Sequence, residues 1–173
     1  MRVGLVSDTH GLADPRLPEV LGGCALVLHA GDVVKEAVLA ALGGIAPVTA
    51  VRGNCDAGTS LERLPETAIV PLGDLTALLV HDLGPRERPA PPAAALLARA
   101  HPQIVVHGHS HRPGAVVVGA TLFVNPGSAG PRRFSLPRAA AVLTVRGRNA
   151  RVEWFDLAAP RLGPLLAPVE VRL

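Results

Sequence analysis

The first half of the chain places short, continuous apolar runs at Val3–Ser7, Leu26–His29, Val48–Arg52 and Ala77–Val80, each followed closely by Asp, Asn or His. Runs that do not alternate with polar residues predict strands covered on both faces, as in a parallel sheet. Between them lie helix candidates at Arg16–Leu21, Val34–Leu42 and Pro91–Ala100, the last with prolines at its start and Ala and Leu inside. Strand and helix take turns as far as residue 107, which predicts an α/β arrangement.

Beyond that point the texture changes. Ala115–Val118, Thr121–Val124, Ala139–Val145 and Arg151–Phe155 are separated by Gly, Pro and Asn and predict antiparallel hairpins. Gly119-Ala120 and Gly147-Arg148-Asn149-Ala150 are the expected tight connections, since Gly and Asn accept positive φ. Two facing sheets with helices outside reconcile the two halves: an α/β, four-layer αββα sandwich of two mixed β-sheets flanked by helices. No internal repeat is visible, and Arg86–Pro92 reads as a Pro-rich loop rather than a linker. Residues 1–173 are therefore expected to form a single domain.

Composition narrows the function classes. Hydrophobic residues make up 49% of the chain and charged residues 18%, so burial can offset the entropy of ordering and disorder is not expected. Aromatics are 2% and Tyr is absent, which argues against a base-stacking platform for single-stranded nucleic acid. The net charge of +3 comes from scattered arginines with one lysine, Lys35, so a nucleic-acid partner is not expected. Cys24 and Cys55 form neither a disulfide framework nor a paired zinc motif. With no signal-peptide run and no apolar run of bilayer length, the expectation is a cytoplasmic protein without a membrane partner. A homo-oligomer remains open.

The chemistry lies in the polar residues that follow the strands. Asp8-Thr9-His10, Gly31-Asp32, Gly53-Asn54, His81 and Gly108-His109-Ser110-His111 come in that order. In an open parallel sheet the loops beyond the carboxyl ends converge, so residues this far apart in sequence can share one pocket. Asp8 and His10, like His109 and His111, are two apart, and in extended chain both side chains of a pair point the same way. Carboxylate, amide oxygen and imidazole without paired thiolates suit divalent Mn, Fe, Co, Ni or Zn, with manganese the first expectation. Two carboxylates and four imidazoles exceed the needs of one tetrahedral ion, whereas two ions bridged by Asp32 would use every ligand. Such ions typically lie about 3.5–4 Å apart and share a bridging water acidified to hydroxide. The residual positive charge points to an anionic substrate, and a small phosphoester attacked in line by that hydroxide fits.

These residues resemble the calcineurin-like metallophosphoesterases, and most closely the small YfcE-type phosphodiesterases. The likeness runs from Asp8-Thr9-His10-Gly11 through His29-Ala30-Gly31-Asp32, Arg52-Gly53-Asn54-Cys55-Asp56 and Gly108-His109-Ser110-His111 to Asn125-Pro126-Gly127-Ser128. It implies the same four-layer sandwich, and a binuclear phosphoric diester hydrolase. One metal would be held by Asp8, His10, Asp32 and His111, the other by Asp32, Asn54, His81 and His109, with catalysis carried by Asp32, Asn54 and His109. Two departures stand out: Cys55 occupies a position where the wider superfamily has a general-acid histidine, and His81-Asp82 replaces the frequent His-Gly. Alternatives are a phosphomonoesterase or nucleotidase on the same fold, or a non-catalytic scaffold like the small subunit of retromer.

Other positions have bland readings beside functional ones. His29 and His107, inside apolar runs, are expected to support ligands rather than bind metal. Cys55 is a candidate substrate contact, and equally a small buried filler or an oxidisable thiol. Asn125–Ser128 reads first as a turn between strands, and Arg132-Arg133 as solvated loop within reach of a phosphate.

Overall fold

A computed structural model of the chain describes residues 1–86, 88–133 and 135–173. The predicted loop from Arg86 to Pro92 is thus described apart from Glu87. In chain order the elements are β1 (Arg2–Val6), α1 (Leu17–Leu21), β2 (Leu26–His29), α2 (Glu36–Gly43), β3 (Val48–Ala50), β4 (Thr67–Leu72) and β5 (Leu75–Val80). They continue with α3 (Pro91–Ala100), β6 (Ile104–Val106), β7 (Gly114–Val118), β8 (Thr121–Asn125), β9 (Ala139–Arg146), β10 (Asn149–Asp156) and β11 (Val169–Arg172).

The strands form two mixed sheets, ordered β11-β10-β9-β1-β2-β3 and β4-β5-β6-β8-β7. Each contains a parallel triplet, β1-β2-β3 in one and β5-β6-β8 in the other. β1, β2, β5 and β6 are largely buried, as their apolar runs demand, whereas β3 at the sheet edge is half-buried. Thr121–Val124, expected as an antiparallel hairpin strand, is antiparallel to β7 but parallel to β6, which corrects that expectation on one side. The inner faces meet in a core that includes Val3, Leu5 and Leu28 from one sheet and Leu79, Ile104 and Val106 from the other. A fully buried Leu or Ile of this kind contributes about 2 kcal/mol. Trp154 closes this core and donates its indole N–H to the Asn125 carbonyl at 2.9 Å. Outside the first sheet, α1 and α2 pack Leu17, Leu21, Val38 and Leu42 against Val6, Val27 and Val142. Outside the second, Ala93 of α3 sits with Leu78, Val80 and Val105. The result is the four-layer αββα sandwich.

Several element boundaries differ from the sequence expectation. Pro71 disguises β4, yet β4 is an edge strand, where a missing N–H breaks no ladder. The second helix begins at Glu36 instead of Val34, because Val34 is left-handed (φ 71°) and gives its N–H to Asp56 Oδ1 at 2.7 Å. The third strand ends at Ala50, two residues early. The terminal strand β11 alternates Val-Glu-Val-Arg over only four residues, too short a signal to read alone.

Candidate metal centre

The carboxyl ends of both parallel triplets open onto one rim, and every predicted ligand lies there. Asp8 and His10 follow β1, Asp32 follows β2, Asn54 follows β3, His81 follows β5, and His109 and His111 follow β6. The expectation that the Asp8/His10 and His109/His111 pairs are extended is corrected by the backbone. Asp8 (φ 53°), His10 (45°), Asp32 (55°), His109 (66°) and His111 (57°) are all left-handed. Such conformations cost about 1–3 kcal/mol each in non-glycine residues and persist only where the surroundings impose them. Here the loops after β1 and β2 keep pairing: His10 N–H donates to Asp32 O at 2.9 Å and Gly11 N–H to Val33 O at 2.8 Å.

One group of donors gathers around Asp8. His10 Nε2 lies 3.3 Å from His111 Nε2, and His111 Nε2 lies 3.2 Å from Asp8 Oδ1. Among the described residues, Asp8 Oδ1 is buried and has no hydrogen-bond partner. Its other oxygen accepts the His109 N–H at 3.2 Å. The second group gathers around Asn54, whose Oδ1 lies 3.1 Å from both His81 Nε2 and His109 Nδ1. His81 Nδ1 donates to the Ala30 carbonyl at 2.7 Å, which in the neutral imidazole leaves the Nε2 lone pair turned toward Asn54 Oδ1 and Asp32 Oδ1. Asp32 stands between the groups: Oδ1 is 3.4 Å from His81 Nε2 and Oδ2 is 3.9 Å from His10 Nε2. His109 and His111 thus belong to different groups, despite sitting two residues apart.

The acceptor-to-acceptor contact of a neutral His81 Nε2 with Asn54 Oδ1 and an orphaned buried carboxylate oxygen are unfavourable without a cation. Donors around one ion at about 2.1 Å lie roughly 3–3.5 Å from one another, as several of these do. The residues therefore fit divalent cations. Their protonation fits as well. Burial alone would raise the Asp8 carboxyl, but the neighbouring His111, Ser7 and His81 hold it below its ordinary value. Burial, with Arg133 and His111 nearby, lowers His10 and favours the neutral imidazole that a metal needs.

The close packing depends on glycine. A Cβ at Gly53 would sit 2.2 Å from Asp32 Oδ1, and one at Gly108 would sit 2.0 Å from Ser7 Oγ. Any side chain at either position would push the loops off the carboxylates.

His29 is a supporter rather than a donor to the pocket: Gly31 N–H donates to Nδ1 at 3.2 Å, and Nε2–H meets Thr9 Oγ1 at 3.0 Å. Burial drives its pKa down to about 4. His107 borders a separate recess with Arg86 and Ser110. Arg133 reaches within 3.4 Å of His10 Nδ1, so it is more than solvated loop. Asn125 donates to Gly108 O at 2.9 Å and Ser110 Oγ at 3.0 Å, while Ser128 Oγ donates to Asp8 O at 2.9 Å. The Asn125–Ser128 turn thus braces both histidine and aspartate loops. Cys55 gives its N–H to Asp32 Oδ1 at 2.7 Å, and burial with the Asp32 carboxylate pushes its thiol up to about 11.

Asp56 was given no role by sequence reasoning. It is fully buried, and its Oδ2 accepts the Gly53 N–H at 2.7 Å while Oδ1 holds Val34. Its signal was its place in the Gly53–Asp56 motif.

Residues 1–148 match the calcineurin-like phosphoesterase superfamily domain. The chain belongs to that superfamily. Among superfamily relatives, the probable metallophosphoesterase YsnB of Bacillus subtilis is 30% identical over 173 residues, covering 95% of this chain and 96% of its own. Vacuolar protein sorting 29 from Cryptosporidium parvum superposes with a TM-score of 0.82 at 21% identity, over 99% of this chain and 98% of that one. The Escherichia coli phosphoesterase YfcE superposes with a TM-score of 0.71 at 24% identity, over 98% of each. At these identities the two solved structures establish the shared fold of the calcineurin-like phosphoesterases.

Proposed function

We propose that the chain, over residues 1–173, is a metal-dependent phosphodiesterase with two cation positions sharing Asp32. The observation that carries this reading is the placement of Asp32, with one oxygen toward His81 and the other toward His10. Asp8, His10, Asp32 and His111 would hold one cation, and Asp32, Asn54, His81 and His109 the other, with manganese the first choice and Ni, Fe, Co and Zn as alternatives. When bound, such cations supply positive field to phosphoryl oxygens and acidify water for in-line attack.

The chain's own residues set the conditions for that chemistry. The Ala30 carbonyl fixes the orientation of His81, the turn at Asn125 fixes the loop bearing His109 and His111, and Asp56 fixes the loop bearing Asn54. Arg133, at the rim beside His10, adds a cation that an anionic ester can meet. The Cys55 thiol, raised to about 11, lies far above the working pH of a good general acid, so it is a poor proton donor to a departing alkoxide. Both cysteines are free, which suits a reducing cytoplasm.

The test is elemental analysis of purified protein together with hydrolysis of a panel of mono- and diesters in the presence of Mn. Two equivalents of cation and turnover of aryl diesters are expected. Faster turnover of monoesters would favour a phosphomonoesterase or nucleotidase. A non-catalytic scaffold is the second reading, favoured by the fold shared with vacuolar protein sorting 29. Absence of hydrolysis of any diester by Mn-loaded protein, with no change in Asp32→Ala, would favour it.

A further inference from the structure

A cleft of about 330 Å³ opens directly beside the Asn54, His81 and His109 side of the centre, and these three residues form its inner wall. The rest of its lining is small and mostly apolar: Ala57, Thr67, Val80, Ala90, Pro92 and Ala93. Val80 and Ala93 are buried and form the floor, Thr67 and Ala90 are half-buried, and Ala57 and Pro92 stand at the exposed edge. Among the described residues, Arg52, Glu66 and Asp82 are the acidic and basic side chains that reach the cleft. Arg52 is paired with Glu66, and Asp82 adds a carboxylate near His109. No uncompensated cation is therefore offered to a second phosphate.

We propose that this cleft takes an uncharged, flat ester group of the substrate, about the size of one aromatic ring, while the phosphoryl group lies at the metal centre. The inference rests on the phosphodiesterase reading and adds the substrate class to it. The volume is ample for a ring, since a cavity of about 150 Å³ already takes benzene, and its continuity with Asn54, His81 and His109 means that a ligand anchored at the centre reaches it without leaving the protein surface. A polyphosphorylated group would meet Asp82 and a neutralised Arg52, whereas an aryl or planar heterocyclic group would bury apolar surface against Val80 and Ala93.

Phenylphosphonate and methylphosphonate test this, since both carry the same anion and only one carries a ring. Binding to Mn-loaded protein is measured by calorimetry. Phenylphosphonate should bind at least about tenfold more tightly than methylphosphonate, as burial of a ring implies. Thr67→Phe, on an edge strand that tolerates aromatics, should reduce that ratio to near one by filling the cleft. Ala57→Leu, at an exposed position, should reduce it in the same direction and serves if the first variant folds poorly. Equal affinities in the wild-type protein would overturn the cleft assignment while leaving the metal reading standing. Binding of neither phosphonate by protein that retains its metals would overturn the cleft assignment and the phosphodiesterase reading together.

Discussion

His10 and His111 turn their Nε2 atoms toward each other across 3.3 Å, with Asp8 Oδ1 buried and unpaired beside them. Two neutral imidazoles can share one proton at most, and the carboxylate oxygen is left with none. The contact relieves itself when a cation occupies the space between the three atoms. Removing metal should therefore destabilise the fold as well as stop hydrolysis. With free cation at about 100- to 1,000-fold its dissociation constant, binding contributes about 3–4 kcal/mol. A chelator should lower Tm by roughly 10 °C for a domain of this size. Calorimetric scans with and without chelator check this, and an unchanged Tm would count against occupancy at Asp8.

Asp32 has a different failure mode. Its oxygens face separate histidine groups, so Asp32→Ala should deplete both positions, whereas His111→Ala should deplete only the one at Asp8. Disturbing even an outer partner of a metal costs up to about 100-fold in affinity or activity, so at least that loss of turnover is expected for Asp32→Ala. Metal stoichiometry by elemental analysis distinguishes the two variants. Equal retention of metal would sink the shared-ligand reading.

The donor set was legible in the sequence because each member ends an apolar run that has to be a buried parallel strand. Asp8, Asp32, His81 and His109 follow directly from that geometry. What was not legible is how the chain turns after each strand. A two-residue spacing at Asp8/His10 suggests extended backbone, yet the loops are left-handed, held there by ladder bonds from His10 to Asp32 and Gly11 to Val33. Those partners lie in another segment, so no local pattern announces them. Asp56 was overlooked for the same reason: its partners, Gly53 and Val34, are backbone N–H groups, and backbone leaves no mark in composition.

Asp56 itself gives a stability prediction. Removing its carboxylate strands two N–H groups in a buried setting, each costing about 1–3 kcal/mol. Asp56→Ala should lose about 2–6 kcal/mol in urea unfolding, and Asp56→Asn, which keeps one oxygen acceptor, should lose less. The loop carrying Asn54 should loosen in parallel, weakening cation binding on that side.

His29 sets a pH dependence. Burial holds its folded pKa near 4, against an ordinary 6.5. Between those values the unfolded chain binds a proton that the folded chain does not, so stability falls as pH drops through that window and is level above it. A shift of this size corresponds to about 3 kcal/mol. Urea unfolding of chelated protein across the window should show the slope, and His29→Gln should flatten it. An identical slope in the variant would assign the loss to other groups.

On the phosphodiesterase reading, Cys55 should set which esters leave readily. Its thiol, raised to about 11 by burial and the Asp32 carboxylate, lies beside Asn54 Nδ2 at 3.4 Å and is protonated at neutral pH. A donor that weak hardly assists an alkoxide, whereas an activated aryl oxide departs without a proton. Wild-type protein should therefore cleave activated aryl diesters far faster than alkyl ones. A histidine titrates near neutrality, where a general acid contributes about 10²-fold or more. Cys55→His should accordingly raise kcat on alkyl diesters by about that factor and leave aryl diesters little changed. A matched pair of substrates differing only in the leaving group measures the ratio. If Cys55→His brings no relative gain on the alkyl ester, the missing proton donor does not limit this enzyme, and Cys55 is only a filler of the loop between Asn54 and Asp56.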